Sequence, residues 1–135
     1  MQKNRKVIKR GGTDTERLYL KSLNFIMDDG TPVQIEKTYS DDPTYDMAEH
    51  VIRHKGRYSL LSAHTKPRSL VLDFPCGSGY ASQIVSKMGG TYEGIEFDPI
   101  TVDYARRVYG AKNVSFSTGD LKSPDLKKRY DIIAC

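Results

Sequence analysis

The sequence predicts an α/β fold, a doubly wound and mostly parallel sheet with an N-terminal extension of helix and hairpin. Three observations lead to this prediction. From residue 69 onwards, short apolar runs alternate with segments of helical periodicity. A glycine-containing loop stands between the first run and the first helical segment. Strands that alternate with helices need crossover connections, which place parallel strands in one sheet with helices on both faces.

The predicted strands and helices follow one another in a regular order. The apolar runs predict strands at 69–73, 91–96, 114–118 and 130–135. Four residues recur at i, i+3, i+4 and i+7 and predict an amphipathic helix after the loop: Ala81, Ile84, Val85 and Met88. Asp98-Pro99 supplies an N-cap and a proline at the first position of the next helix, which runs to Gly110.

The first residues of the chain are strongly basic. Residues 1–21 hold seven Lys or Arg against two Asp or Glu, a net charge of +5. Such an arm could meet nucleic acid or an acidic surface, but it carries no interleaved aromatic residue before Tyr19, so nucleic acid is not the favoured partner. Residues 1–16 are therefore predicted to form a flexible, solvated arm that cofactor binding does not need.

Residues 17–66 are predicted to form an extension that includes a covering helix. Asp28-Asp29-Gly30 stands between two short apolar runs, which suggests a hairpin. Asp41-Asp42-Pro43 is typical of a helix start, and helical spacing continues from there to about Ala63, with Gly56 as a point where the helix could divide.

The composition argues against several classes of protein. No apolar run approaches the roughly 20 residues of a membrane span, and the first residues do not resemble a secretory signal. Cys76 and Cys135 are too few for a disulfide scaffold and too isolated for a metal site. His50 and His54 lack a convincing third ligand, so they are interpreted as a solvated helix face. We expect a cytoplasmic protein without a metal site.

Acidic residues stand at the ends of three successive strands. Asp73 ends the first strand, Glu96 ends the second, and Asp120 follows the third. Ligands of doubly wound sheets bind at the carboxyl ends of the strands, where the strand order reverses. These three acids are therefore the main candidates for a binding site.

The glycine loop and its neighbours indicate a nucleotide cofactor. Gly77 and Gly79 allow a tight turn and close approach of a ligand, although Ser82 replaces the third glycine of the dinucleotide fingerprint. Glu96 lies 17 residues after Gly79, near the roughly 20 expected for an acid that binds ribose hydroxyls. Asp73 would repel a pyrophosphate but suits the ammonium and sulfonium of S-adenosylmethionine, which is therefore favoured over a nicotinamide dinucleotide.

The motifs at 71–79, 92–98, 113–120 and 130–135 resemble, in order and spacing, those of class I S-adenosylmethionine-dependent methyltransferases. The resemblance implies a Rossmann-like methyltransferase half-domain at residues 67–135 that binds S-adenosylmethionine and releases S-adenosylhomocysteine. In this family the second acid binds ribose and the third meets the adenine amino group. The cofactor-binding residues it implies are Asp73, Pro75, Gly77, Gly79, Glu96, Phe97, Asp120 and Leu121. Pro75 departs from the small residue usual in the first motif.

A looser resemblance precedes the first strand. Ala48-Glu49-His50 through Arg57-Tyr58 is similar to methyltransferases found among cell-surface polysaccharide genes, which implies that this helix covers the cofactor and that Arg57 either meets the methionine carboxylate or faces solvent. The acceptor is unidentified, a sugar or another small molecule. A cofactor-binding module without catalysis and a nicotinamide-dependent oxidoreductase are the alternatives.

The last predicted strand ends at Cys135, so the core is expected to be incomplete. An uncovered apolar edge is a template for pairing with another chain. We therefore expect either a fragment whose sheet is completed elsewhere, or self-association. The family places its acceptor-binding and base residues beyond this point, so the catalytic residues are unknown from this sequence.

Overall fold

The computed structural model describes residues 10–27, 29–34 and 46–135. Its helices and strands, in chain order, are α1 (Asp14–Ser22), α2 (Met47–His64), β1 (Leu70–Asp73), α3 (Ser82–Lys87), β2 (Thr91–Glu96), α4 (Pro99–Tyr109), β3 (Val114–Thr118) and β4 (Ile132–Ala134).

The four strands form one parallel sheet in the order β3-β2-β1-β4. Asp73 at the end of β1 pairs with Gly94 on one side and Ala134 on the other. The carboxyl ends of all four strands therefore lie at one edge of the sheet. The strand order reverses at β1, because β2 and β3 follow on one side of it and β4 on the other. The predicted α/β, mostly parallel architecture is confirmed.

Side chains from the sheet and from the helices beside it form the core. Val71, Val85 and Tyr92 are completely buried, and Val102 of α4 is nearly so. In β3, buried Val114 and Phe116 alternate with exposed Ser115 and Ser117, so that α4 covers one face of this edge strand. Burial of each large apolar side chain contributes about 1.5–3 kcal/mol to folding.

Local signals set the bounds of the helices. Asp98 accepts hydrogen bonds from the backbone N–H groups of Ile100 and Thr101, as predicted for the cap of α4. The helix after the glycine loop, Ser82–Lys87, lies within the predicted 81–88, and the chain turns directly after it at Gly89, whose φ is +80°. The long helix α2 is not divided at Gly56.

The N-terminal extension differs from its prediction at the start of α1. Helix α1 begins at Asp14, inside the predicted arm, and Glu16 is completely buried, so the residues from Thr13 onwards belong to the folded part. The start predicted for α2 at 41–43 lies outside the described residues; the described helix is capped by Asp46, whose carboxylate accepts from two backbone N–H groups.

Only part of the predicted hairpin can be compared with the structure. Ile26 and Pro32 form an antiparallel bridge, and the Met27 N–H donates to the Thr31 carbonyl at 2.8 Å. Residue 28 and residues 35–45 lie outside the described part of the chain.

Strand β4 pairs with β1 on one side, and Ile133 is 60 % exposed. Self-association through this strand stays a prediction. None of the helices in the described part of the chain has the length and apolar character needed to cross a membrane.

Candidate functional site

A cavity of about 640 Å³ opens at the carboxyl ends of the strands, within the usual size range of sites for small molecules. Several parts of the chain surround it. The strand ends and the glycine loop supply Asp73, Pro75, Gly77 and Glu96. Helix α2 supplies a wall that includes Arg57 and Tyr58. Strand β4, the N-terminal segment, the residues just before α3 and Thr101 of α4 also contribute to the lining.

The glycine loop is tied to the end of β2. The Cys76 N–H donates to the Ile95 carbonyl, and the Gly77 N–H donates to the Glu96 carboxylate, both at 2.9 Å. Gly77 has φ +55°, and a Cβ there would meet nothing within 4 Å. The loop therefore offers open space at the cavity where a ligand can approach the main chain.

Gly79 has a different role from Gly77. Its φ is +83°, and a Cβ would lie 2.4 Å from a ring carbon of Phe116. It does not line the cavity. Glycine is needed at this position for the fold, because the loop packs tightly against β3, and not for contact with a ligand.

Glu96 can still bind a ligand although it supports the loop. Its carboxylate accepts from the backbone N–H groups of Gly77 and Phe97, the latter at 2.8 Å. The Asp98 N–H also donates to it, at 3.5 Å. A carboxylate has about four acceptor sites, so capacity remains for a ligand hydroxyl. Glu96 lines the cavity as well, which places it where the sequence predicted a ribose-binding acid.

Asp73 is buried at the floor of the cavity, with 9 % of its surface exposed. Burial raises the pKa of its carboxyl to about 6, although the hydrogen bond from the Tyr92 hydroxyl, at 2.6 Å, and the positive charge of Arg57 both act to lower the pKa. A cation bound beside Asp73 would favour the ionised form.

Three tyrosines form an aromatic wall that the sequence did not predict. Tyr19 stacks on Tyr80 with ring centroids 4.9 Å apart, and Tyr58 meets both rings edge-on at 4.6 and 5.3 Å. Tyr58 and Tyr80 line the cavity. Burial raises the pKa of each hydroxyl, so the wall is neutral at physiological pH. Aromatic faces of this kind attract cations.

The N-terminal segment also reaches the site. Thr13 and Thr15 line the cavity, and the Thr13 hydroxyl lies 3.3 Å from the hydroxyl of Ser78 in the glycine loop. Ser78 is completely buried. Thr13 therefore contacts the loop that the sequence identified as the binding element, although it lies in the predicted arm. That cofactor binding does not need residues 1–16 stays a prediction.

Four of the predicted cofactor residues do not line the cavity. Besides Gly79, these are Phe97, Asp120 and Leu121, which lie beyond the ends of β2 and β3. Phe97 is 69 % exposed and Leu121 is 52 % exposed. The Gly119 N–H donates to the Glu96 carbonyl at 3.0 Å, so Asp120 follows a residue in contact with the site. Their roles stay predictions.

Two residues that the sequence set aside are buried. Burial raises the pKa of the Cys76 thiol, with the charges of Asp73 and Glu96 adding to the effect, which keeps it protonated. His54 lies beside Tyr58 with ring centroids 6.1 Å apart. Burial lowers its pKa, helped by the charges of Arg57 and His50. His54 therefore does not belong to a solvated face.

Comparison with known proteins gives two methyltransferases among the similar sequences. No family model matches the chain. It is 28 % identical over 76 residues to the malonyl-[acyl-carrier protein] O-methyltransferase of Acetivibrio thermocellus, a match that covers 55 % of this chain and 27 % of that protein. It is 32 % identical over 65 residues to the putative methyltransferase 235L of Invertebrate iridescent virus 6, which covers 47 % of this chain and 24 % of that protein.

Solved structures give the fold. The S-adenosylmethionine-dependent methyltransferase of Thiobacillus denitrificans, solved in complex with S-adenosylhomocysteine, superposes with a TM-score of 0.51 at 24 % identity, over 59 % of this chain and 35 % of that one. The chain has the fold of the class I S-adenosylmethionine-dependent methyltransferases. The resemblance read from the sequence motifs is thereby confirmed. The chain spans about a quarter of the length of the curated relatives it matches.

Proposed function

We propose that this chain binds S-adenosylmethionine in the cavity at the strand ends and serves the transfer of its methyl group to an acceptor. The strongest support is that two acidic side chains face the cavity beside a stretch of main chain that a ligand can approach. Asp73 and Glu96 face the cavity beside Gly77, where no side chain fills the space. A cationic ligand that carries ribose hydroxyls matches this set of groups, whereas a pyrophosphate would be repelled by Asp73.

Different residues of the cavity would bind different parts of S-adenosylmethionine. Glu96 would accept from the ribose hydroxyls. Asp73 and the faces of Tyr58 and Tyr80 would hold the positively charged part of the cofactor. Arg57, beside Tyr58 on α2, lies close enough to lower the pKa of Asp73, and would meet the carboxylate of the methionine moiety. The exposed rim formed by Phe97, Asp120 and Leu121 would receive the adenine.

Methyl transfer makes modest demands on the protein. The leaving thioether is neutral, so the main contribution is to hold donor and acceptor in line at attack distance, where effective molarity supplies much of the rate. A hydroxyl acceptor, such as a sugar or another small molecule, would benefit from a general base. We assign no such base within the described residues. A cytoplasmic location stays a prediction, as does the expectation that nucleic acid is not the favoured partner of the basic arm.

Calorimetric titration of the 135-residue chain tests the proposal. S-adenosylmethionine and S-adenosylhomocysteine should bind at one site, and NAD should not bind. Glu96→Ala should weaken S-adenosylmethionine binding by about 1.5–3 kcal/mol, the range for hydrogen bonds to a charged group, which corresponds to about 10- to 150-fold in Kd. Glu93→Ala is the matched control, because Glu93 lies on the same strand but accepts from Lys128 and Tyr130 away from the cavity. Unchanged affinity in Glu96→Ala, or tighter binding of NAD, would contradict the proposal.

A second candidate function is cofactor binding without turnover. The short coverage of the longer relatives supports it, because their remaining length can hold the acceptor site. Formation of S-adenosylhomocysteine by this chain, measured over a panel of small-molecule acceptors, would exclude a purely binding role.

A further inference from the structure

Glu16 is a charged residue buried in the protein, with none of its surface exposed. One carboxylate oxygen, Oε1, accepts from the hydroxyls of Tyr104 and Tyr109 on α4. The other, Oε2, accepts from the Gly12 N–H at 2.8 Å. A buried carboxylate is tolerated only when its oxygens are hydrogen-bonded, and these partners belong to two separate parts of the chain. Glu16 thus connects the segment before α1 to α4.

The connection fixes where the segment Gly12–Thr15 lies. A Cβ on Gly12 would approach the Tyr104 ring to 2.7 Å, so backbone and ring are in close contact. Immediately after Gly12, Thr13 caps α1 by accepting from the Glu16 N–H at 3.2 Å. The same hydroxyl meets the buried Ser78 of the glycine loop. Glu16 therefore holds Thr13 from both sides, through its own N–H and through Gly12, whose N–H also donates to the Tyr104 hydroxyl at 3.1 Å.

The segment forms one wall of the cavity. Thr13 and Thr15 line it, and α1 places Tyr19 on the ring of Tyr80. None of the cofactor-binding residues implied by the family resemblance lies in this segment.

We propose that Glu16 is a positioning residue of the cofactor site, which holds Gly12–Thr15 against the glycine loop so that the segment encloses the cofactor. This inference rests on the proposed function. Glu16 does not line the cavity itself and acts through Thr13 and the loop. It should matter for cofactor affinity even though it makes no contact with the cofactor.

The carboxylate is required in this position because both of its oxygens accept. In Glu16→Gln the amide oxygen can keep the two tyrosine hydroxyls, whereas the amide nitrogen then faces the Gly12 N–H, donor against donor. Glu16→Gln thus disturbs the segment selectively and retains the link to α4. Tyr109→Phe has the converse effect, since it removes one donor from α4 and leaves Gly12 paired.

The test combines cofactor affinity with hydrogen exchange in the 135-residue chain. Glu16→Gln should weaken S-adenosylmethionine binding by at least about tenfold, and the amides of residues 10–20 and 74–80 should exchange faster without any cofactor present. Val102→Ala is the control, because Val102 lies in the core on α4. It should lower the free energy of unfolding and leave Kd within about twofold. In a double-mutant cycle with Thr13→Val, the two losses of affinity should be less than additive, because both changes act through one contact.

The outcomes for the positioning role of Glu16 and for the proposed function can be told apart. Unchanged affinity and exchange in Glu16→Gln would overturn the inference, as would fully additive losses with Thr13→Val or an equal loss of affinity in Val102→Ala. A parent chain that binds no S-adenosylmethionine would refute the proposed function. Exchange alone then decides whether Glu16 positions the segment: faster exchange of the glycine loop in Glu16→Gln supports it, and unchanged exchange overturns it.

Discussion

Replacement of Asp73 by Asn should stabilise the fold and weaken cofactor binding at the same time. The carboxyl is buried at the cavity floor, and its pKa rises from 3.8 to about 6 because burial disfavours the charged form. At about 1.4 kcal/mol per pKa unit, the ionised group costs the folded state about 3 kcal/mol at neutral pH. Such a cost is expected where a group is kept for binding.

The sign of the pH dependence follows from the raised pKa. Between pH 3.8 and about 6 the folded chain holds a proton on Asp73 that the unfolded chain has released. The contribution of Asp73 to the free energy of unfolding is therefore most favourable near pH 4. It falls as the pH rises through that interval, and it is constant at its unfavourable value above about pH 7.

Chemical denaturation of the parent and of Asp73→Asn, measured at several pH values, isolates this contribution. The variant should be more stable by about 2–3 kcal/mol at pH 8 and within about 0.5 kcal/mol at pH 4. Asp103→Asn, which removes an exposed carboxylate of α4 that pairs with Arg107, is the control for the loss of a surface charge. The affinity of the parent for S-adenosylmethionine should fall below about pH 6. A parent-to-variant difference that does not change between pH 4 and pH 8 would refute the reasoning.

Two smaller predictions concern packing and thiol reactivity. Gly79→Ala should lower the free energy of unfolding by about 2–4 kcal/mol, since it combines left-handed backbone strain with overlap onto the Phe116 ring. Gly56→Ala, in open space on α2, should raise it by about 0.5–1 kcal/mol; equal effects at the two glycines would contradict the packing argument. Iodoacetamide should alkylate exposed Cys135 well before buried Cys76 in the folded chain, as peptide mass spectrometry would show, and comparable rates would contradict the burial of Cys76.

The sheet could be predicted from sequence because its signals are local. Strands β2 and β3 have the predicted bounds, since each is a short run closed by turn residues or a helix cap. Strand β4 is shorter than predicted, at Ile132–Ala134, because only these residues pair with β1. Helix α1 was missed although Thr13 and Glu16 stand at the spacing of a capping box. The helix was not predicted because the basic residues before it indicated a solvated arm.

The candidate site was predicted in part, for a related reason. Asp73, Gly77 and Glu96 follow directly from the strand ends, because parallel strands bring their carboxyl ends to one edge. Tyr58 and Tyr80 reach the cavity through packing between α2 and the start of α3, which no local pattern specifies. Glu16 was missed because its partners on α4 lie about 90 residues away along the chain.

The site has a buried side around Asp73 and the tyrosine wall, and an exposed side around Phe97 and Leu121. Around Asp73 and the tyrosine wall, the groups are buried and held by contacts with one another, so binding there requires little further ordering. Phe97 and Leu121, by contrast, expose most of their apolar surface next to the ends of β2 and β3. An adenine ring between them would remove that surface from water, at about 25 cal/mol for each Å² buried. The charged part of the cofactor should therefore depend on preorganised electrostatics, whereas the adenine should contribute mainly by burial of apolar surface.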